Sequence, residues 1–345
     1  MAMTVYSDIT PRQTAFSVAN LLARAMPHMM IERFGQAYPI PKNNTKVAKW
    51  RRYYMTGGSG SYSGTAGDFN VPLADTPLVE GVTPAGSTLE NRDYTVTLQQ
   101  YGDFLRYTDV IVDTHEDFPP LLREMTDILG EQAAHTIETL RFNVLKAGTN
   151  VFYANGSTRN AVNTPLTLGL QRRITRSMKR QNAKPITNML ASTVKYNTQP
   201  IESAFIALCH PDVENDIREM DGFISVKQYG SNTEPMEGEI GNVEDVRYIR
   251  STVFESWADA GGAAGAMLST SGTNADVYPI LYLARDAYGI VPLRGKEAVE
   301  VMVVQPKATD NDPLAQRGTI GWKCWNATVI LQDAFMVRAE VAAID

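Results

Sequence analysis

The feature that most constrains the fold is one long amphipathic helix in the first half of the chain. Residues 118–120 read Phe-Pro-Pro, and prolines are tolerated in the first turn of a helix. Apolar residues then recur at helical spacing up to Gly148, at Leu121, Met125, Ile128, Ala133, Ile137, Leu140 and Val144. The spacing predicts a helix over 119–147, about 40 Å long at 1.5 Å per residue. Such a spine helix needs another layer of structure to cover its apolar stripe.

A long two-stranded excursion is predicted just before this helix. Tyr94, Val96 and Leu98 alternate with polar residues, which indicates a half-buried strand. Residues 56–67 (TGGSGSYSGTAG) favour a mobile loop, so the chain is expected to leave the body near residue 57 and return near 106. Each arm would reach on the order of 50 Å at about 3.3 Å per residue. Because an isolated two-stranded hairpin is marginally stable, we expect this one to need a partner.

The rest of the chain mixes helices and strands and predicts the α+β class. A second helix is predicted over 167–182, followed by strand 205–209, short helix 211–220 and strand 246–254. The last strands are predicted at 299–303, 322–331 and 335–341. We expect them to cover the spine helix, which makes its domain discontinuous with a middle unit inserted. The predicted division is an N-terminal arm (1–55), an extended loop (56–110), a spine-helix domain (111–195 and 296–345) and an inserted domain (196–295).

Composition excludes several classes of protein. The 345 residues are 43% hydrophobic and carry a formal net charge of -6, which is typical of ordinary globular proteins, so any binding of a polyanion must be local. The longest apolar runs are far shorter than the roughly 18 residues that a membrane span needs. Residues 1–20 show no secretory signal, and we therefore expect a chain that stays in the cytoplasm.

No catalytic, metal or cofactor site is predicted. Cys209 and Cys324 are far apart and are interpreted as small buried hydrophobes. His210 follows Cys209 directly, but neighbours on a strand point to opposite faces and cannot readily act as base and thiol. The other histidines, His28, His115 and His135, have no metal spacing. A hydrolase or ligand-binding protein with a site assembled from scattered residues remains the alternative.

One face of the second helix is strongly basic. No acidic residue occurs between 171 and 195, and the helix carries Arg172, Arg173, Arg176, Lys179 and Arg180. This face is predicted to contact DNA phosphates without sequence preference, or an acidic neighbouring subunit. A merely solvated face is equally consistent with the pattern, because no base-reading motif accompanies it.

Four segments, in this order, resemble the major capsid proteins of tailed double-stranded DNA bacteriophages. Residues 83–111 (TPAGSTLENRDYTVTLQQYGDFLRYTDVI) are similar to that family's extended loop returning to its body. Residues 205–220 (FIALCHPDVENDIREM) resemble its axial-domain strand, turn and helix, and 238–252 (GEIGNVEDVRYIRST) the loop and strand that follow. Residues 312–331 (DPLAQRGTIGWKCWNATVIL) resemble its closing sheet.

The resemblance implies a structural shell protein without enzymatic activity or cofactor. The spine-helix domain would be the peripheral domain and the inserted unit the axial domain, and copies would assemble through pentamers and hexamers into an icosahedral head in the host bacterial cytoplasm. The implied partners are the chain itself, scaffolding, portal and decoration proteins, and packaged double-stranded DNA, with no membrane. The extended loop would lie over a neighbouring subunit, with candidate contacts at Trp50, Arg51, Arg52, Tyr94, Tyr101 and Arg106.

Two features differ from some members of that family. No lysine lies between Lys49 and Lys146, so we expect no covalent link from this loop to a neighbour. Only about fifty residues precede the loop, and we therefore expect a separate scaffolding protein.

Overall fold

The described part of the chain contains four α-helices and fifteen strands. The computed structural model describes residues 30–41, 43–56, 77–83, 86–114, 118–186, 203–228, 236, 238–292, 299–308 and 312–345. The helices are α1 (Asp109–Thr114), α2 (Phe118–Lys146), α3 (Leu168–Arg180) and α4 (Glu214–Arg218). The strands are β1 (Gln36–Ala37), β2 (Val47–Thr56), β3 (Thr88–Thr97), β4 (Gln99–Thr108), β5 (Val151–Tyr153), β6 (Phe205–Cys209), β7 (Phe223–Ser225), β8 (Glu239–Val243), β9 (Val246–Arg250), β10 (Tyr278–Leu283), β11 (Tyr288–Ile290), β12 (Glu300–Val304), β13 (Arg317–Asn326), β14 (Thr328–Ile330) and β15 (Met336–Val341).

Helix α2 is the predicted spine helix. It spans 29 residues, which confirms the predicted range within one residue at each end. Strands β12, β13 and β4 form an antiparallel sheet in that order, and Ile320 and Trp322 of β13 pack against Leu129 and Ile137 of the helix. This packing confirms that strands distant in sequence cover the apolar stripe of the spine helix.

A seven-stranded sheet forms the largest part of the core, in the order β5-β15-β10-β6-β9-β8-β7. Strand β6 is buried at all five positions because apolar clusters cover both faces of the sheet. Phe205 and Cys209 face the cluster that contains Ile174 of α3, whereas Ile206 and Leu208 face the cluster that contains Phe142 of the spine helix. Helix α3 and the end of the spine helix therefore lie on opposite sides of this sheet.

The large sheet joins strands from both predicted domains. Strand β15 pairs with β10 from Tyr278↔Val341 to Leu283↔Met336, and β5 pairs in parallel with β15. The predicted boundaries near residues 195 and 295 thus run through one continuous sheet, and the division into peripheral and axial domains stays a prediction.

Strands β2 and β3 form an isolated two-stranded ribbon. They pair over ten residues each, from Val47↔Thr97 to Thr56↔Thr88, so all of β2 except Thr56 lies within the residues assigned to the arm. The chain leaves the ribbon at buried Leu98 and not near 106, because β4 pairs with β13 instead. Residues 57–76, which follow β2 in the sequence, are outside the described ranges.

The described end of the arm pairs with a strand of the body. Strand β1 pairs in parallel with β11, which also pairs with β14. Nearly all of the helical stretch predicted over 14–30 lies outside the described residues.

Candidate assembly interface

The inner face of the ribbon docks on the chain's own body. Trp50 pairs with Tyr94 across the ribbon, and the ring of Trp50 lies over Gly289 of β11 and 5.5 Å from the ring of Tyr38. Two positions further along β2, Arg52 donates from Nη1 to Oε1 of Gln332 at 2.8 Å. Three of the residues proposed as intersubunit contacts, Trp50, Arg52 and Tyr94, therefore anchor or line the ribbon base within one subunit.

The outer face of the ribbon is charged and partly apolar. Arg51 Nε lies 2.8 Å from Oδ1 of Asp93, and Lys49 Nζ lies 2.5 Å from Oδ2 of the same carboxylate. Hydrogen bonds from these cations hold the pKa of Asp93 well below its usual range. Tyr53 and Leu89 also lie on this face and are 60% and 72% exposed. Of the predicted loop residues on the ribbon, only Arg51 points away from the body.

The loop residues on β4 lie on opposite faces of the sheet that covers the spine helix. Tyr101 faces the helix and donates from its hydroxyl to Oε1 of Gln99 at 2.7 Å. Arg106 lies on the other face, with its guanidinium carbon 5.2 Å from the ring centroid of Phe104. Tyr101 is therefore a core contact, whereas Arg106 is available at the surface.

The face of this sheet that turns away from the spine helix is apolar and exposed. Met302, Gly321 and Phe104 form one cross-strand row, and Val304, Thr319 and Arg106 form the next. Phe104, Met302 and Val304 are 51%, 40% and 57% exposed. We call these six residues the outer sheet face. This face was not predicted from the sequence, although the run Val301-Met302-Val303-Val304 indicates a strand that is apolar on both faces.

An exposed apolar turn lies between the ribbon strands. The amide of Val82 donates to the carbonyl of Val79 at 3.1 Å, and Gly81 has φ +78°, a conformation that glycine adopts without strain. Leu78, Val79 and Val82 are 78%, 65% and 62% exposed, and Glu80 lies between them. We call residues 78–82 the apolar turn.

The basic face of α3 is partly neutralised by the turn between β8 and β9. Arg172 Nε donates to Oε1 of Glu244 at 2.9 Å, and Lys179 pairs with Asp245. Arg173 lies over the ring of Phe152 at 6.0 Å. Neither Arg176 nor Arg180 forms an ion pair with a described residue, so the unneutralised charge lies on Arg173, Arg176 and Arg180, which are all exposed.

Cys209 and His210 do not form a thiol and base pair. Cys209 is fully buried, which raises the pKa of its thiol, and Sγ donates to the carbonyl of Ile249 at 3.6 Å. His210 instead accepts the backbone N–H of Asp212 on Nδ1 at 3.3 Å. Cys324 is also buried, so the structure confirms that both cysteines are buried.

The described residues contain no cluster of three His, Cys, Asp or Glu side chains that could hold a metal ion.

A depression of about 280 Å³ beside α3 is lined by three carboxylates, those of Asp216, Glu219 and Asp221. Its one hydroxyl, Thr167 Oγ1, accepts the Leu170 amide and caps α3. None of the helices among the described residues combines the length and the apolar composition that a membrane span requires.

Comparison with known proteins places this architecture among viral shells. A family model described as phage capsid protein matches residues 93–339. The major capsid protein of Pseudomonas phage KPP21 is 22% identical over 206 residues, which are 56% of this chain and 52% of that protein. The match therefore spans about half the length of this relative.

Solved structures of two phage capsids and of an encapsulin share the fold over about nine tenths of the chain. The capsid of Ralstonia phage GP4 has a TM-score of 0.61 at 13% identity and covers 90% of this chain and 87% of its own. The cyanophage Pam1 capsid has a TM-score of 0.53 at 15% identity, covering 90% and 89%. The SrpI encapsulin from Synechococcus elongatus PCC 7942 has a TM-score of 0.53 at 11% identity, covering 92% and 88%.

The fold is thus the one that these solved structures share, in the α+β class that the sequence predicted. The chain belongs to the family of phage capsid proteins. This membership confirms the resemblance found in the sequence and supports a structural role, whereas the comparisons give no support to the hydrolase alternative.

Proposed function

We propose that this chain is the structural, non-enzymatic major capsid protein of a tailed double-stranded DNA bacteriophage. Copies assemble through pentamers and hexamers into an icosahedral head, in the host cytoplasm, with scaffolding, portal and decoration proteins as further partners. The observation that carries the proposal is the outer face of the ribbon. Only the inner face docks on the chain's own body, and among the described residues no third strand pairs with β2 or β3, so the exposed outer face is left for a neighbour.

Electron microscopy with light scattering tests this assembly. The purified chain, alone and with lysate of its native host, should form closed shells or five-fold and six-fold rings. A monomer or dimer that never grows, even with native partners, would contradict the proposal.

We further propose that the apolar turn of one subunit packs on the outer sheet face of the next. Both surfaces expose large apolar side chains that none of the described residues covers, and such patches mark interaction sites. Their charges are complementary, because Glu80 projects from the turn whereas Arg106 borders Phe104 on the sheet. Burial of three aliphatic side chains at about 1.5–3 kcal/mol each would stabilise every such contact by roughly 5–9 kcal/mol before losses of entropy.

A cross-link between single-cysteine variants tests this contact. Leu78→Cys and Val304→Cys subunits are assembled together and oxidised, and a band of twice the chain mass should appear only in the mixture. The native cysteines do not interfere because both are buried. Leu78→Cys mixed with Val110→Cys is the matched control, since Val110 is 59% exposed on α1. Shells without the Leu78–Val304 band would show that the turn packs elsewhere.

We propose that the unneutralised part of the basic helix face contacts packaged DNA through its phosphates. The Arg173→Ala, Arg176→Ala, Arg180→Ala variant should assemble normally but lose DNA at lower salt than the native shell, because each phosphate contact contributes to the salt dependence. Arg172→Ala is the control, since this side chain already pairs with Glu244. Unchanged retention in the triple variant would assign the face to solvent or to a neighbouring subunit.

A further inference from the structure

A buried carboxylate on the spine helix holds the arm at the point where it reaches the body. Glu138 has no exposed surface, and its Oε1 accepts the backbone N–H groups of both Met30 and Ile31 at 3.0 Å. These two amides lie at the start of the short 3-10 turn Ile31–Arg33, where N–H groups have no partner within the turn. One side chain from α2 therefore caps an element more than 100 positions earlier in the chain.

Further contacts fix the same segment. Tyr288 of β11 donates from its hydroxyl to the carbonyl of Ile31, and Arg141 Nη1 lies 2.9 Å from Oε2 of Glu32. Ile31 is fully buried and Phe34 is 7% exposed, in the cluster that includes Phe142. We call residues 30–34 the docked arm segment.

The polar groups around Glu138 are not fully paired. Oε2 of Glu138 and Nε of Arg141 are buried and have no hydrogen-bond partner among the described residues. A buried ionised carboxylate is costly unless all of its oxygens are satisfied, so the negative charge of Glu138 is poorly compensated. The facing charged or titratable groups are Arg141 on the same helix, Glu32 on the arm and Tyr288 on β11.

We propose that Glu138 is a proton-controlled latch: the neutral carboxyl keeps the docked arm segment on the spine helix, and loss of its proton loosens the segment. Neutral Glu138 still accepts both amides on its carbonyl oxygen, whereas the ionised form adds a buried charge beside Glu32. The latch acts on the docking of the arm and is independent of whether shells form.

The pKa of this group agrees with the geometry. Burial raises the pKa of Glu138 to about 7, although the Ile31 and Met30 amides and the charge of Arg141 act in the opposite direction. When the segment undocks, Glu138 becomes exposed and its pKa returns towards the ordinary value of about 4.3. Docking thus takes up a proton, and the docking equilibrium weakens as pH rises through this interval. Linkage predicts a loss of about tenfold between pH 6 and pH 8.

Hydrogen exchange of the amides of residues 30–34, followed by mass spectrometry on the unassembled full-length chain, tests the proposal. After correction for the intrinsic pH dependence of exchange, protection in the native chain should fall about tenfold from pH 6 to pH 8. Glu138→Gln keeps the accepting oxygen without a titrating group, so its protection should stay within about twofold over the same range. Glu124→Gln, on an exposed position of the same helix, should behave as the native chain does.

Three results would overturn the latch. They are protection in the native chain that does not change with pH, protection that increases with pH, or a Glu138→Gln variant that follows the native profile. If Glu138→Gln fails to fold, as judged by circular dichroism, the native pH profile alone decides. Because the measurement uses unassembled chains, its outcome is separate from the test of shell assembly.

Discussion

Adding one methyl group at Gly289 should release the ribbon from the body and leave the core folded. A Cβ at this position would lie 2.6 Å from Cζ2 of Trp50, with two more ring atoms at 3.0 and 3.1 Å. Gly289 is paired on both sides, with β1 and with β14, so its backbone has little freedom to move. The indole of Trp50 must therefore shift, and overpacking of this kind costs about 1–3 kcal/mol.

A double-mutant cycle measures this clash directly. Trp50→Ala removes a half-buried aromatic side chain, which should cost about 2–3 kcal/mol, and leaves space for the new methyl group. In the Trp50→Ala background, Gly289→Ala should therefore lower the free energy of unfolding only slightly. The double variant should then lose about 1–3 kcal/mol less than the sum of the two single losses. Urea unfolding followed by circular dichroism gives these values without depending on tryptophan fluorescence.

Shell assembly provides the functional measurement for the same variants. Each single variant should form fewer closed shells by electron microscopy because the ribbon base no longer sits on its own body. Gly86→Ala is the matched control, since a Cβ there meets nothing within 4 Å. Costs that add within about 0.5 kcal/mol would refute the reasoning, because the two positions would then be independent.

Three further predictions concern the large sheet and its surroundings. Gln171→Leu should lower the free energy of unfolding, measured in urea, by about 2 kcal/mol. The reason is the loss of two buried hydrogen bonds, since Gln171 donates to the carbonyl of Val243 at 2.8 Å and accepts the Tyr248 hydroxyl at 2.8 Å. Ile174→Ala should cost about 2–5 kcal/mol in the same assay, because the side chain is fully buried and leaves a cavity. Asp216→Asn should be more stable than the native chain by about 2–3 kcal/mol at pH 8 and close to it near pH 4. Burial raises the pKa of Asp216 to about 6, so the native chain loses stability as pH rises through that interval. A stability difference that does not vary with pH would contradict this prediction.

Local patterns predicted individual elements well. The spine helix was predicted over 119–147 and is observed at Phe118–Lys146, because its apolar spacing and terminal residues are local signals. Strand 205–209 was predicted with the observed bounds, and α3 begins after Thr167, whose side chain accepts the Leu170 amide as an N-cap.

The candidate interface was predicted less completely. The loop residues were chosen by their types, and residue type does not reveal which face of a strand points to the body. Trp50 and Arg52 belong to the face that docks on β11 and Gln332, whereas Arg51, one position away, points outwards. A shift of one residue in strand register would exchange these roles, and register is set by pairing between distant segments.

The sequence by itself determined the class of this protein. The features that did so are its length, its helical and strand periodicities, and four ordered segments that resemble phage capsid proteins. Tertiary structure alone decided how these elements are joined, including the pairing of β15 with β10, the departure of β4 from the ribbon, and the capping of residues 30–31 by Glu138. The physical reason is the separation along the chain over which each kind of interaction acts. Periodicity and N-capping by a neighbouring side chain act within a few residues, whereas these strand pairings and the burial of Glu138 depend on partners more than fifty positions apart.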